Sequence, residues 1–205
     1  MAKTSTINSQ HATTKEVAEI CILAGGLSSR MGRDKSRLKL GRLTMLEHIR
    51  AVGKQSGMPV RIIRRDIVPR CGPLGGIYTG LQSSKADILL FVACDMPFLS
   101  SEILMKLCRM LKSSQKALFV DHGGFAGFPL LLRREVCLPL VARQIEAQQL
   151  SLQELAKALD ARSIRPPRTW KNQLRNINTP EDYQTALELI TQARANVITN
   201  SQAGE

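Results

Sequence analysis

A short apolar run, Ile20-Cys21-Ile22-Leu23, empties into Ala24-Gly25-Gly26 and then into a basic stretch ending at Asp34-Lys35. No other segment constrains the chain as strongly. A buried strand that ends on adjacent glycines lets the next turn approach a ligand closely, because no Cβ intervenes. Successive backbone N–H groups in such a turn can form an anion-binding nest. Arg30 and Lys35 add positive charge where phosphates would lie. Two widespread phosphate loops are excluded by spacing. Five residues separate Gly26 from Gly32, and Arg33 follows, where a Walker loop needs four and then Lys-Ser/Thr. The dinucleotide fingerprint fails because Gly25 and Gly26 are adjacent. An ordinary strand-to-helix turn carrying surface cations stays open at this point.

The rest of the chain alternates apolar runs with helical periodicity. Val60–Ile63 and Ile88–Ala93 read as strands, the second apolar throughout and so buried on both faces. Thr44 with Glu47, and Ser151 with Glu154, have capping-box spacing. Ser100 or Ser101 starts a helix striped by Ile103, Leu104, Leu107 and Leu111. Gly72-Pro73-Leu74-Gly75-Gly76 reads as a loop, with a helix opening at Ile77 to Leu81. Leu118–Val120 and Phe128–Leu132 read as strands around a glycine-rich link, Gly123 to Gly127. Thr179-Pro180-Glu181-Asp182 is a helix start, with proline in the first turn and acids at the positive end. Strands alternating with helices predict an α/β fold, a mostly parallel sheet with helices on both faces. Its ligands should gather at the carboxyl ends of the strands. One domain is expected over residues 19–191, with a flexible leader (1–18) and a flexible tail (192–205).

At the end of the most apolar strand stands Cys94-Asp95-Met96-Pro97. A carboxylate at that edge suits a hard cation such as magnesium, which takes one or two carboxylates together with phosphate oxygens and water. A turn-capping role for Asp95 is the alternative. The five cysteines are scattered, without C-x-x-C spacing, so neither a zinc site nor a disulfide framework is expected. Cys21, Cys94 and Cys108 fit a core, whereas Cys71 lies among loop glycines and is expected to be exposed. No apolar run reaches the roughly 20 residues of a membrane span. The polar N-terminus lacks a signal-peptide core, and the cytoplasm is the expected location.

The formal net charge is +12. Basic residues group at Arg61, Arg64, Arg65 and Arg70, and again at Arg162, Arg165, Arg168, Lys171 and Arg175. With one Trp, two Tyr and five Phe, the chain has little for base stacking, and nucleic acid is not an expected partner. A solvated basic surface, or attraction of a polyanionic small substrate, accounts for the charge.

Taken together, Leu23 to Lys35, the Cys94–Pro97 segment, the Gly72–Gly76 segment and Asn176-Ile177-Asn178-Thr179-Pro180 resemble the signature of molybdenum cofactor guanylyltransferases. The resemblance covers roughly residues 20–190. It implies a three-layer nucleotidyltransferase fold and transfer of GMP from magnesium-GTP to molybdopterin, with pyrophosphate as the leaving group. By position it assigns Leu23, Ala24, Gly25 and Gly26 to the triphosphate loop, with Arg30 and Lys35 as its charged pair. It makes Asp95 the magnesium ligand and Asn178 a secondary member of the metal shell. Gly72, Pro73, Leu74 and, on a looser match, Asp66 would line the nucleotide site. Gly124 to Pro129 would face the acceptor, and the Arg162–Arg175 cluster would receive its phosphate. Proteins of molybdoenzyme or cofactor assembly would be partners.

The chain departs from that pattern between the Thr44 helix and Gly72. Relatives fit two strands there, the first ending on an asparagine that helps to recognise the nucleotide; here only Val60–Ile63 is available. A sheet one strand short is therefore expected, and the base is left open. Another NTP such as CTP, a sugar-phosphate acceptor, a non-catalytic nucleotide-binding module and a basic nucleic-acid-binding protein are the alternatives.

Overall fold

The run Ile88–Ala93 forms β5, and its alternation shows how the fold is layered. Ile88, Leu90 and Val92 enter one apolar cluster, while Leu89 and Phe91 enter another on the opposite face. That period of two is what a strand covered on both sides requires. A computed structural model describes residues 16–25 and 35–202, with side chains through residue 192.

Besides β5, the strands are β1 (Ala18–Leu23), β2 (Lys39–Leu40), β3 (Leu43–Thr44), β4 (Val60–Ile63), β6 (Ala117–Asp121), β7 (Ala126–Arg133) and β8 (Arg162–Ile164). The helices are α1 (Met45–Gln55), α2 (Pro73–Ser83), α3 (Ser101–Met110), α4 (Arg134–Glu146), α5 (Leu152–Ala158) and α6 (Pro180–Gln202). The main sheet runs β4-β1-β5-β7-β6-β8, parallel except for β7, which is antiparallel to both neighbours. Helices α1 and α3 cover one face and α2, α4 and α5 the other. The result is the α/β sandwich expected from the pattern.

The caps explain why the helices begin where they do. Thr44 and Ser151 each form a complete capping box, and Ser100 caps α3 by accepting from Ile103 N. Thr179 Oγ1 accepts from Asp182 N (3.1 Å), while the Asp182 carboxylate accepts from Asn178 N and Thr179 N (3.0 Å each). Each cap satisfies N–H groups that have no partner inside the helix.

Several expectations change. The Gly72–Gly76 segment is not an open loop. Only Gly72 stays outside the helix, in the left-handed region (φ 53°), and Pro73 begins α2 directly. Proline tolerates the first helical turn because its missing N–H has no partner to lose. Cys71 is buried (3% exposed) beneath that turn rather than exposed. Most of the presumed link after β6 is a hairpin, with Ala126 and Gly127 already paired in β7. The antiparallel strand follows from that tight turn, which periodicity alone does not reveal. Helix α4 has a weak amphipathic stripe and contains Pro139, so the pattern does not announce it. Strand β1 starts at Ala18 and α6 continues to Gln202. Among the described residues no helix is long and apolar enough to cross a membrane.

On the side of β1 away from β5, the described sheet holds one strand, β4, which is therefore an edge. Because β4 pairs directly with β1, its carboxyl end at Ile63–Arg64 stands beside the loop that leaves β1.

Candidate active site

Strands β1, β4 and β5 run in register, so their carboxyl ends reach one edge together. Leu23 O accepts from Cys94 N (3.1 Å), and Ala24 N donates to Ile63 O (2.8 Å). The glycine loop and the Asp95 turn are thereby held side by side. Gly25 passes so near Arg64 that a Cβ there would lie 2.7 Å from the Arg64 carbonyl oxygen. No real Cβ sits that close to a rigid backbone atom, which explains glycine at this position.

Lys35 lies in a single 3-10 turn, Lys35–Arg37, just before β2. Its Nζ donates to Asn178 Oδ1 (2.8 Å) and lies 3.6 Å from Asp95 Oδ2. Two residues 143 positions apart in the chain meet here because of a small third core. Leu40 of β2, Met45 of α1, Ile177 and Ala186 of α6 bury one another, which brings the turn before β2 against the segment before α6. The Asp95 carbonyl accepts from Ile177 N (2.9 Å) and completes the clamp. Three residues predicted from separate motifs thus form one cluster.

Asp95 is mostly withdrawn from water, and burial pushes its carboxyl above the usual range while the Lys35 ammonium pulls it down. Asp95 Oδ1 is buried without a hydrogen-bond partner. A buried carboxylate oxygen left in that state costs free energy unless something charged meets it. The oxygen is hard, anionic and at the strand edge, so it fits a hard divalent cation. Among the described residues no group of three His, Cys, Asp or Glu side chains could form a protein-only cage. Asn178 turns its oxygen to Lys35, so its described contact is to the ammonium.

Beside this cluster lies a cleft of about 30 Å³ lined by Leu23, Gly25, Ile63, Asp66, Gly72, Pro73 and Gly76. Five of the residues expected at the nucleotide site (Leu23, Gly25, Asp66, Gly72 and Pro73) meet here. Leu74 points elsewhere: its side chain is buried in the core and its N–H donates to Cys71 O. Ala24 packs against the core. Gly26 and Arg30 lie outside the described residues. Asp66 packs against the first turn of α2, where a Cβ on Gly75 would meet its Oδ2 at 2.6 Å. Partial burial raises the Asp66 carboxyl above its ordinary value. Buried Thr79 fixes this segment, accepting from Ile67 N (2.9 Å) and donating to Gly75 O (2.8 Å). Thr79 and Ile63 were not identifiable from sequence, since neither chemistry nor spacing distinguishes them from helix and strand residues.

Two members of the Arg162–Arg175 group have partners within the fold. Arg162 donates to Met110 O (2.6 Å), and Arg165 is exposed with Asp121 at 3.9 Å. Lys106 of α3 lies over the Trp170 ring (5.4 Å to its centre).

The family model for the MobA-like NTP transferase domain matches residues 20–163. A molybdenum cofactor guanylyltransferase from Acinetobacter baumannii is 31% identical over 71% of this chain and 79% of its own length. A probable molybdenum cofactor guanylyltransferase from Carboxydothermus hydrogenoformans is 27% identical over 84% of this chain and 96% of its own. The crystal structure of molybdopterin-guanine dinucleotide biosynthesis protein A from Archaeoglobus fulgidus superposes with a TM-score of 0.67. It is 20% identical and covers 85% of this chain and 99% of that one, a likeness of fold. By the match of the family model and these relatives, the chain belongs to the MobA-like NTP transferase domain family.

Proposed function

We propose that this chain is a nucleotidyltransferase that moves GMP from magnesium-GTP to the phosphate of molybdopterin, releasing pyrophosphate. The observation that carries the reading is the Lys35–Asn178–Asp95 cluster beside the glycine loop, with one Asp95 oxygen unpartnered. The names of the relatives supply the acceptor.

The work of the protein is placement and charge stabilisation, because phosphoryl chemistry of this kind needs little covalent help. Lys35, held by Asn178, presents its ammonium to the triphosphate and offsets charge on the departing pyrophosphate. Arg30 is assigned the same task by its place in the motif. Asp95 Oδ1 would hold magnesium, with Asn178 as a secondary member of its shell. A bound magnesium ion supplies positive charge to the phosphate oxygens during transfer. The attacking phosphate is already an anion, so no general base is required, and none of His11, His48 and His122 belongs to the motifs.

The carboxylate of Asp66 at this cleft suits guanine better than adenine or cytosine. A carboxylate only accepts hydrogen bonds, and guanine offers two adjacent donors, N1–H and the 2-amino group. Adenine and cytosine place a ring acceptor next to their amino groups and would be repelled by Asp66. The reading places the protein in the cytoplasm, where GTP is made, with cofactor-assembly proteins or molybdoenzymes supplying the acceptor or receiving the product.

The test is pyrophosphate release with magnesium, each NTP in turn and a molybdopterin-loaded carrier protein. Release with GTP is expected. Release with CTP alone would overturn the base assignment, and no release with any NTP would overturn the enzyme reading.

A further inference from the structure

Strand β4 closes the described sheet with one side open. Its pairing with β1 fixes which of its backbone groups are used. Ile20 N donates to Pro59 O and Ala24 N to Ile63 O (2.8 Å each), in a parallel register that sets Ile20 beside Val60 and Leu23 beside Ile63. Successive residues of a strand send their N–H and C=O groups to opposite sides. Pro59, Arg61 and Ile63 therefore face β1, while Val60 and Ile62 each turn an N–H and a C=O away from it. Among the described residues nothing meets those outward groups.

Natural edges are ordinarily guarded by a proline, a bulge or an uncompensated charge within the strand. Strand β4 has none of these. It reads Val-Arg-Ile-Ile, and its register with β1 is continuous. Its one charge is spent inside the fold: Arg61 Nη2 lies 3.0 Å from Glu19 Oε1, and Arg61 Nε donates to Glu19 Oε2 (3.2 Å). The surroundings carry one sign. Lys54 lies near the end of α1, which rests on the start of β4, since a Cβ on the adjacent Gly53 would meet Val60 Cγ2 at 2.8 Å. Arg64 and Arg65 follow the strand directly, and Arg70 lies on the same segment. All four cations are exposed, and none forms a salt bridge among the described residues. The acids nearby are engaged elsewhere. Glu19 is buried against Arg61 and Ser84, Glu47 caps α1 at Thr44, and Asp66 packs on the first turn of α2. A second copy of this edge would bring like charges together, whereas an acidic strand would neutralise them.

We propose that β4 takes an extended acidic segment of a partner protein as an added strand of the sheet. The backbone of Val60 and Ile62 supplies the hydrogen bonds, and Lys54, Arg64 and Arg65 select the sign of the incoming side chains. Ile67, just past the arginines and 60% exposed, offers an apolar contact at the end of the added strand. Four residues at about 3.3 Å each make an edge about 13 Å long, which a segment of about five residues covers. The contact uses no side chain assigned above to the transfer reaction.

The experiment follows backbone amide exchange of the full chain, labelled with 15N, with an acetylated and amidated Glu-Val-Glu-Val-Glu peptide. In the free chain Val60 and Ile62 should exchange fast, and Arg61 and Ile63 slowly. Peptide at about ten times its Kd should slow Val60 and Ile62 roughly tenfold, the fraction of edge left open. A Lys-Val-Lys-Val-Lys peptide should leave them unchanged. N-methylation of alternate peptide residues should abolish the protection in one phase and preserve it in the other, because only one set of amides faces β4. Ile62→Pro removes one outward N–H and leaves the β1 ladder to Arg61 and Ile63, and should weaken the acidic peptide roughly tenfold. Lys54→Glu with Arg65→Glu should weaken it by a similar factor, roughly tenfold, and this exposed pair decides the matter if the proline variant fails to fold. Loss of protection in neither methylation phase, or equal protection by the basic peptide or by oligothymidylate, would overturn strand addition. So would Val60 and Ile62 already protected in the free chain. Protection that grows with protein concentration would then assign the edge to a second copy, and protection independent of it to the chain itself.

Discussion

Replacing Lys35 by Met tests the cluster most directly, because it removes the charge and keeps a side chain of similar length. The ammonium and Asp95 Oδ2 are 3.6 Å apart, with side chains 15% and 19% exposed. At that separation and an effective dielectric of about 20, unit charges attract by about 5 kcal/mol. The lysine also escapes its own desolvation when it is removed, and water still reaches both groups. A net loss of about 3 kcal/mol at pH 8 is therefore expected. The pH dependence is the sharper signature. Burial already raises the folded-state pKa of Asp95, and Lys35 opposes that rise. Without Lys35 it rises further. Below the ordinary carboxylate range Asp95 is neutral folded or unfolded, and the ion pair no longer matters. As pH rises, the unfolded chain ionises first, so the variant loses stability until its raised folded pKa is passed. Urea unfolding of the wild type and Lys35→Met between pH 4 and 8 should show a deficit that grows with pH. The double variant with Asp95→Asn should recover most of it. A deficit independent of pH, or no recovery in the double variant, would refute the coupling.

Asp95→Asn alone should fold and still bind GTP, with pyrophosphate release reduced by roughly 100-fold or more, measured against thermal unfolding of the same sample. Gly75→Ala would set a Cβ 2.6 Å from Asp66 Oδ2 and 3.0 Å from the Val68 carbonyl oxygen. The side chain can turn but the backbone cannot. A displacement of Asp66 should raise KM for GTP by roughly tenfold, since shifts near 1 Å are enough for losses of that order; an unchanged KM would remove Asp66 from the nucleotide site. Hydrogen bonds from Asn178 and Thr179 hold the Asp182 carboxyl below its ordinary range. Its contribution is thus present at neutral pH and fades as pH falls through that lowered value. The stability difference between wild type and Asp182→Asn should shrink in acid, as followed by circular dichroism.

The elements were legible where a local cause produces them. Thr44, Ser100, Ser151 and Thr179 cap helices in the structure because capping acts over three residues, within sight of a sequence motif. The buried strand Ile88–Ala93 declared itself through continuous apolarity. Helix α4 did not, because its stripe is weak and Pro139 interrupts the pattern. Nor did the reversal of β7, which depends on a hairpin turn at 122–125 and not on the composition of the strand. Cys71 read as exposed because its neighbours are glycines, yet those glycines let α2 close over it.

At the site, the glycine run after β1 and the aspartate after β5 already suggested the chemistry proposed here, because residue type sets what can bind phosphate and what can bind a hard cation. That glycine run, Gly25 foremost, was marked by the sequence alone as the candidate phosphate loop. Which groups it meets was decided only by tertiary structure. The small core of Leu40, Met45, Ile177 and Ala186 brings Lys35 to Asn178 across 143 positions. The pairing of β4 with β1 sets the Arg64 backbone against Gly25. Contacts between distant segments depend on how faces bury one another, and no local pattern along the chain encodes that convergence.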